Sequence, residues 1–287
     1  MEPELIADYR CETGEGPLWH PQEQLVYWCD IPAGRLFRYD PATGHHEMAY
    51  EGEVIGGFTV QEDGALLLFG AGGAVRRWEA GRITPVVERI GGEEDSRFND
   101  VIADPRGRVF CGTMSSPTHP GRLYRLDTDR SLRAVVDGVG TSNGMGYTLD
   151  RKRMYYTDSR TRTISLYDYD EETGEISNPR PFVRLADDEP GVPDGMTVDA
   201  EGYVWSARWN GGALYRYAPD GSQVQRIAFP AKKVSSVTFG GPDYTDMYVT
   251  TALAGGDRSE EGEGAGALFR LRLGIRGLPE FPSRVGL

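Results

Sequence analysis

Oxygen-bearing side chains recur at one point of a pattern that is repeated six times along the chain. Aligning the six copies places in register Glu15, Gly56, Asn99, Asn143, Asp194 and Ser235, which stand 41 to 51 residues apart. Converging carboxylates repel one another and lose hydration unless they share a cation or a proton. Carboxylate and amide oxygens favour a hard divalent ion such as Ca²⁺, Mg²⁺ or Mn²⁺, whose open positions take water and then a substrate oxygen. The alignment therefore predicts a metal site where the six copies meet.

Two of these positions also fit a simpler interpretation. Asn143-Gly144 and Asp194-Gly195 are dipeptides that are common in tight turns, so either alone would equally indicate a turn. Their occurrence at the same point of the repeat, together with the other oxygen-bearing side chains, favours a cluster of ligands.

The repeat that must position these side chains consists of short strands separated by turns. A motif of the form L-Y-R-Y recurs, with a mean spacing of about 46 residues, as LFRY, VRRW, LYRL, LYDY, LYRY and LFRL. Each copy is preceded by two apolar runs joined by a turn, such as NDVIADPRGRVFCGT, which is the signature of a hairpin. Six units of about four strands predict an all-β, six-bladed β-propeller. Although 287 residues would suggest two domains by length, the repeat predicts one domain over residues 1–287.

The sixth unit lacks one strand, and the N-terminus is expected to supply it. Three strands are predicted there, near Val237–Phe239, Met247–Thr250 and Ala267–Leu273, before the chain ends. Residues Glu4–Tyr9 precede the first hairpin and have no partner within it. We expect them to form the outer strand of the sixth blade, because a closed ring removes an exposed sheet edge.

Composition excludes several classes of protein. No run approaches the ~18 apolar residues of a membrane helix, and the N-terminal MEPELIADYR lacks the basic and apolar regions of a secretory signal. The net charge of −13 disfavours nucleic acids and anionic lipids as partners. Because Cys11, Cys29 and Cys111 form no C-x-x-C motif, we expect reduced thiols and a cytoplasmic protein.

Other motifs carry less weight. Residues 140–144 match the G-x-S-x-G nucleophile elbow, but a strand-like run follows where that motif needs a helix. The glycine-rich residues 262–266 lack the lysine and helix of a phosphate loop and suggest a flexible, acidic insertion near the mouth of the channel. The histidines show no zinc-binding spacing, although His119, in the loop SSPTHPGR, is placed to reach the mouth.

Several segments together resemble one family of proteins. They are GEGPLWHP around Glu15, RFNDVIADPRGRVFCGTM around Asn99, SNGMGYTLDRKRMYYTDS around Asn143, and PDGMTVDAEGYVWSARWNGG around Asp194. With FGGPDYTDMYVTTA in the sixth unit, they resemble the senescence marker protein/gluconolactonase family, also called regucalcin-like proteins, over nearly the whole chain. The resemblance implies a six-bladed propeller and the metal-dependent hydrolysis of sugar lactones to aldonic acids.

The resemblance also implies roles for particular residues. The family's metal ligands match Glu15, Asn143 and Asp194, and its substrate-contacting Arg and Asn match Arg97 and Asn99. Vertebrate members carry acidic residues after G-T-M, one of which contacts substrate. Here Ser115 and Ser116 follow instead, in a shorter loop that ends in His119, so the resemblance does not carry the sugar preference over to this chain.

This ligand set suggests a mechanism. The metal would polarise the lactone carbonyl, stabilise the developing oxyanion and activate water, with Asp194 as the general base. Arg97 and Asn99 would orient ring hydroxyls, and His119 and Trp209 would contact the substrate. Arg97 would alternatively pair with the acidic residues 93–95 on the surface. Trp19, Trp209 and Asn210 would form walls of the mouth, and the two tryptophans would alternatively lie in the core between blades.

The leading hypothesis is thus a carboxylic ester hydrolase, a gluconolactonase- or xylonolactonase-like enzyme, which binds a small-molecule sugar lactone. It would use one divalent ion, with Ca, Mg, Mn, Zn and Fe(II) as candidates. The alternatives are a promiscuous esterase or phosphotriesterase that uses the same site, and a calcium-binding regucalcin-like protein without turnover. We expect a monomer or a small homo-oligomer that binds neither membranes nor nucleic acids.

Overall fold

The computed structural model describes residues 2–287, which form six four-stranded antiparallel sheets. Blades 1 to 3 comprise β2–β5 (Gly14–His20, Leu25–Asp30, Arg35–Tyr39, His46–Glu51), β6–β9 (Gly57–Val60, Leu66–Phe69, Val75–Glu79, Arg82–Val87) and β10–β13 (Phe98–Ala103, Val109–Thr113, Gly121–Leu126, Leu132–Val139). Blades 4 and 5 comprise β14–β17 (Ser142–Tyr147, Arg153–Asp158, Thr163–Tyr169, Ile176–Arg184) and β18–β21 (Val192–Val198, Val204–Trp209, Ala213–Tyr217, Gln223–Ala228). Blade 6 comprises β22–β24 (Lys233–Gly240, Asp246–Ala252, Ala267–Arg272) and the N-terminal β1 (Glu4–Asp8).

The blades form a closed ring, which confirms the predicted six-bladed propeller. The first strand of each blade is innermost and contacts the first strands of both neighbouring blades, in the order β2, β6, β10, β14, β18, β22 and back to β2. Two short helices, a 3₁₀ turn at Ser159–Thr161 and α1 at Arg258–Glu261, lie in loops. No helix in residues 2–287 is long and apolar enough to cross a membrane.

The N-terminal strand closes blade 6, as the sequence predicted. β1 pairs antiparallel with β24, with Leu5 opposite Phe269 and Asp8 opposite Ala267. The Arg270 guanidinium also donates to both carboxylate oxygens of Glu4, at 3.0 and 2.9 Å. Backbone hydrogen bonds and a side-chain ion pair therefore both join β1 to β24, and this junction is the seam of the ring.

The hydrophobic core lies between neighbouring blades. Six clusters of buried side chains each join one blade to the next, and the cluster of blades 5 and 6, for example, includes Trp205, Val249 and Phe269. Strands such as Leu66–Phe69 are buried along their whole length because both of their faces meet another blade.

The inner strands carry an irregularity at one end, which positions the site. In blades 1, 3, 4, 5 and 6 the pairing of the first two strands shifts register at or next to Glu15, Asn99, Asn143, Asp194 and Ser235. A β-bulge of this kind re-aims side chains and bends the strand. Bulges repeated around the ring therefore turn the predicted ligands toward a common axis.

Candidate active site

A cavity of about 690 Å³ opens at the end of the channel where the bulges lie. Its lining includes most of the residues predicted from sequence: Glu15, Arg97, Asn99, Asn143, Asp194 and Trp209. Glu12, Thr13, Thr141, Ser159, Arg160 and Ala254 also line it. Trp19 lies elsewhere, buried between blades 1 and 6 and facing the inner channel, so the two tryptophans have different environments.

Glu15 and Asp194 are buried carboxylates with little compensation from the protein. Glu15 accepts a hydrogen bond from the backbone amide of Gly16 at 3.1 Å, and Asp194 accepts one from the amide of Gly195. Burial is the main cause that raises the pKa of both groups well above the ordinary range, and repulsion from other carboxylates raises it further. Two such groups fit a cation-binding site, since a bound cation would remove this cost.

Asn143 would complete an oxygen donor set. Residues 2–287 contain no cluster of three His, Cys, Asp or Glu side chains that could hold a metal ion, so an ion between Glu15 and Asp194 would rely on an amide oxygen. Carboxylate and amide oxygens together suit a hard divalent cation with open positions for water. The residues present therefore fit the metal that the sequence suggested.

A directed chain of hydrogen bonds fixes the orientation of this amide. Arg97 donates to Asn99 Oδ1 at 2.7 Å, and Asn99 Nδ2 donates to Asn143 Oδ1, also at 2.7 Å. Asn143 Nδ2 then donates to Ser159 Oγ at 2.7 Å, and Ser159 donates to the carbonyl of Pro193 at 2.5 Å. The chain runs through blades 3, 4 and 5, ends next to Asp194, and identifies Oδ1 as the atom of Asn143 available to a cation.

Arg97 and Asn99 differ in how many of their hydrogen-bond donors the protein already uses. Asn99 also donates to the carbonyl of Ser142 at 2.8 Å, so both donors of its amide are engaged with the protein. Arg97 uses Nη1 for the Phe98 carbonyl and Asn99, which leaves Nε and Nη2 for a ligand in the cavity. Arg97 is therefore a wall residue of the site and not a surface partner of residues 93–95.

The two remaining ring positions are structural. Ser235 donates to the carbonyl of Gly14 at 2.6 Å and joins blade 6 to blade 1. A β-carbon at Gly56 would lie 1.9 Å from the carbonyl oxygen of Phe98, so only glycine allows blades 2 and 3 to approach this closely. The ring thus divides into four polar positions at the cavity and two that close the ring.

Asp100 is a feature that sequence reasoning missed. It occupies the bulge position after the ring residue, where blades 1, 2, 4 and 5 have Gly16, Gly57, Gly144 and Gly195. Its carboxyl faces the inner channel directly beneath the site, and burial raises its pKa to about 7. An acidic residue aligned with glycines in four other units is the signal that would have identified it.

His119 is held away from the cavity. Its Nε2 contacts Asp95 Oδ1 at 3.1 Å and its Nδ1 contacts the carbonyl of Pro120 at 2.8 Å. Thr118 donates to the same Asp95 carboxylate at 2.7 Å, so the short loop after Met114 folds back on the connection between β9 and β10. Among the described residues of this segment, Met114 reaches the cavity wall.

Comparisons with known proteins agree with the fold and the motifs. A family model described as SMP-30/Gluconolactonase/LRE-like region matches residues 13–253. The protein named Pentonolactonase XacC from Haloferax volcanii is 51% identical over 98% of each chain, and regucalcin from Xenopus laevis is 35% identical over 96% of each chain. A solved luciferin-regenerating enzyme superposes with a TM-score of 0.90 at 28% identity, covering 99% of this chain and 100% of that one.

Proposed function

We propose that this chain, which belongs to the SMP-30/gluconolactonase/LRE-like family, is a carboxylic ester hydrolase that opens sugar lactones at its polar cavity. The observation that carries the proposal is the pair of buried carboxylates, Glu15 and Asp194, facing an open cavity beside the Asn143 amide. The 51% identity to a protein named as a pentonolactonase supports a lactone of a pentonic acid or a similar aldonic acid as substrate.

Glu15, Asn143 and Asp194 would hold one divalent metal ion, with Asp100 adding negative charge beneath it. When bound, such an ion acts as a Lewis acid toward a carbonyl oxygen and lowers the pKa of water. Several hard or borderline ions suit an oxygen donor set, so the choice among them follows their supply.

Asp194 is the group that would take a proton from the attacking water. Hydrolysis adds water oxygen to the lactone carbonyl carbon, and the acyl–oxygen bond of the ring then breaks. The proton removed from water returns to the departing ring oxygen, which becomes a hydroxyl of the aldonic acid. Asp194 would hold that proton between the two steps, as a general base that then acts as the general acid.

Side chains around the rim would recognise the hydroxyls. Glu12 precedes blade 1, and Arg160 follows the second strand of blade 4, on the opposite side of a six-bladed ring. Glu12 also lines the cavity with a carboxylate, which is not one of the proposed metal ligands. Arg97 keeps two donor groups, Nε and Nη2, that no group in residues 2–287 uses. The indole of Trp209 offers an apolar surface for the C–H face of a sugar ring.

The decisive experiment is a lactone panel run on metal-free protein. Pentono- and hexonolactones are supplied, divalent ions are added one at a time, and acid release is followed with a pH indicator. We expect ion-dependent hydrolysis well above the buffer rate, and a loss of about 10³-fold in kcat for Asp194→Asn. Asp168→Asn, an exposed carboxylate on blade 4, is the matched control and should keep wild-type activity.

Two outcomes would contradict the proposal. The first is that no lactone is hydrolysed faster than in buffer with any ion. The second is that folded Asp194→Asn retains full activity. Ion binding without hydrolysis would favour a calcium-binding protein instead, and hydrolysis of phosphotriesters but not lactones would favour the broader esterase.

A further inference from the structure

A buried ion pair lies behind Trp209, outside the proposed metal ligands. The Lys233 ammonium, at the start of β22, pairs with the carboxylate of Glu261, at the end of α1, and both side chains are only 11% exposed. Lys233 Nζ lies 5.9 Å from the centroid of the Trp209 ring, which is within the range of a cation–π contact. One cation therefore connects a residue of the cavity wall to the loop between β23 and β24.

Stability alone does not explain a pair of this kind. Removing two charges from water costs several kcal/mol per ion, and well-packed apolar side chains of similar volume often stabilise a protein as well or better. A buried pair does, however, fix the relative positions of the groups that it joins. Lys233 lies over the ring of Trp209, which lines the cavity, so fixing the position of Lys233 also affects the cavity wall.

Several contacts within the loop that carries Glu261 hold this side chain in position to pair with Lys233. Asp257 caps α1 by accepting from the backbone amides of Ser259 and Glu260. A β-carbon at Gly256 would lie 2.6 Å from Glu261 Cγ, so the glycine leaves room for this side chain. The backbone of Glu261 also accepts from the amide of Lys232 at 2.8 Å. The loop, expected from its glycines to be flexible, is instead tied to blade 6 around the ion pair.

The same loop also supports the part of the cavity wall next to blade 1. The amide of Ala254 donates to the carbonyl of Glu12 at 2.7 Å, and the amide of Leu253 donates to the carbonyl of Cys11 at 3.2 Å. Arg258 pairs with Asp8 of β1 and donates to the carbonyl of Ala265 at 2.9 Å. The loop therefore links two rim groups, Glu12 and Trp209, into one frame.

We propose that Lys233 and Glu261 are positioning residues that hold the indole of Trp209 in place against the sugar ring of a polyhydroxylated lactone. This inference rests on the proposed lactonase function and adds a specificity element to it. Lys233 acts through Trp209 and not on the reacting atoms, so its loss should weaken substrate binding and leave the chemical step intact.

The test compares Lys233→Met with wild type in the full-length, metal-loaded protein. We expect KM for a pentonolactone to rise about 5- to 10-fold, a loss of about 1 to 1.4 kcal/mol of binding, with kcat within about twofold. Lys233→Arg should largely restore KM, because it retains the charge. The matched control is Arg180→Met, which removes an exposed ion pair with Asp168 on blade 4 and should change neither constant.

A double-mutant cycle separates positioning from a general structural role. In a Trp209→Ala background, Lys233→Met should produce no further rise in KM, because its target is gone. An equal rise in both backgrounds, or no rise in either, would overturn the inference. Should Lys233→Met fail to fold, Glu261→Gln removes the charge pair with less change in volume and serves in the same cycle.

A second readout does not depend on turnover. The tryptophan fluorescence of wild type minus that of Trp209→Phe isolates the emission of Trp209. The extent to which a soluble quencher such as iodide reduces this emission reports how accessible the indole is. In Lys233→Met this accessibility should increase, and if it stays unchanged the positioning claim is wrong. Should wild type hydrolyse no lactone while the accessibility changes as expected, the proposed function would fail and the positioning of Trp209 would stand.

Discussion

Individual carboxylates at the cavity work against the stability of the metal-free molecule. Glu15 and Asp194 are held in a buried ring with one backbone hydrogen bond each, and Asp100 adds a third negative charge from the channel below. A purely structural site gains nothing from such groups, because unpaired buried charge is costly. A ligand that offsets the cost explains their presence at the cavity.

The pH dependence of stability tests this explanation at Glu15. Its pKa is raised in the folded state, so the folded protein binds a proton more tightly than the unfolded chain does. The penalty is therefore absent at low pH and grows as pH rises above the ordinary Glu value of about 4.3 toward the raised folded value. We expect Glu15→Gln to raise the melting temperature of the metal-free protein at pH 8 by roughly 3 °C or more, the shift for about 1 kcal/mol, and to have little effect at pH 4.

The measurement is thermal unfolding with a chelator across pH 4–9. Adding divalent ions should then stabilise wild type more than the variant, since Gln is a weaker ligand. A variant that is less stable than metal-free wild type at pH 8 would contradict the account. Glu47→Gln, an exposed carboxylate paired with Arg38 on blade 1, is the control.

At the scale of elements, the bulged inner strands combine ring closure with ligand placement. The residue after the ring position is glycine in four blades, and at Gly57, Gly144 and Gly195 an added β-carbon would lie less than 3 Å from the next blade. At Gly144 an added β-carbon would lie 2.6 Å from the carbonyl oxygen of Asp194 and 2.7 Å from the amide of Met196. The spacing of β14 and β18 thus depends on the missing side chain.

Substitution of this glycine should therefore damage both fold and site. We expect Gly144→Ala to lower the free energy of unfolding by about 1–3 kcal/mol through overpacking, and to reduce activity because Asn143 and Asp194 move apart. Denaturant unfolding and kcat/KM measure the two effects. Gly91→Ala, where a β-carbon meets open space, should be close to neutral in both. Equal effects of the two substitutions would refute the role of close approach.

The strands and turns could be predicted well from the sequence because they depend on the pattern of residues that are close together along the chain. The six hairpins, the closing N-terminal strand and the alignment of Glu15, Asn143 and Asp194 all follow from period and spacing. The site was predicted less completely. Lys233 and Glu261 lie 28 residues apart in a strand and a loop, and no local pattern pairs them. The fold-back of His119 onto Asp95 likewise depends on loop geometry that residue types do not specify.

At the scale of the whole molecule, the ring depends on one seam. Five blades are built from consecutive strands, whereas blade 6 joins the two ends of the propeller through β1 and β24. Pairs such as Arg270 with Glu4 and Arg258 with Asp8 reinforce this seam from the side chains. The seam is therefore the place where the ring can open.

Removal of residues 2–9 should open it. The deletion exposes the edge of β24, and an unpaired strand edge promotes association between chains. We expect a lower melting temperature and a shift toward oligomers in size-exclusion chromatography. Arg270→Met with Arg258→Met, which removes the side-chain pairs and keeps the strand, should lower the melting temperature less and leave the protein in its wild-type state of assembly. A truncated protein that matches wild type in both measurements would show that β1 is dispensable.

The pairing of Leu5 with Phe269 also sets an order of events during synthesis. Blades 1 to 5 can each form from neighbouring hairpins as they leave the ribosome, because the strand pairs within each blade are local in sequence. The first strand must wait, unpaired, until nearly the whole chain has been made. The last step of folding thus brings together the most distant segments of sequence, which is the slowest kind of contact to form, and a nascent chain stalled before β24 would carry an incomplete ring however well its other blades had formed.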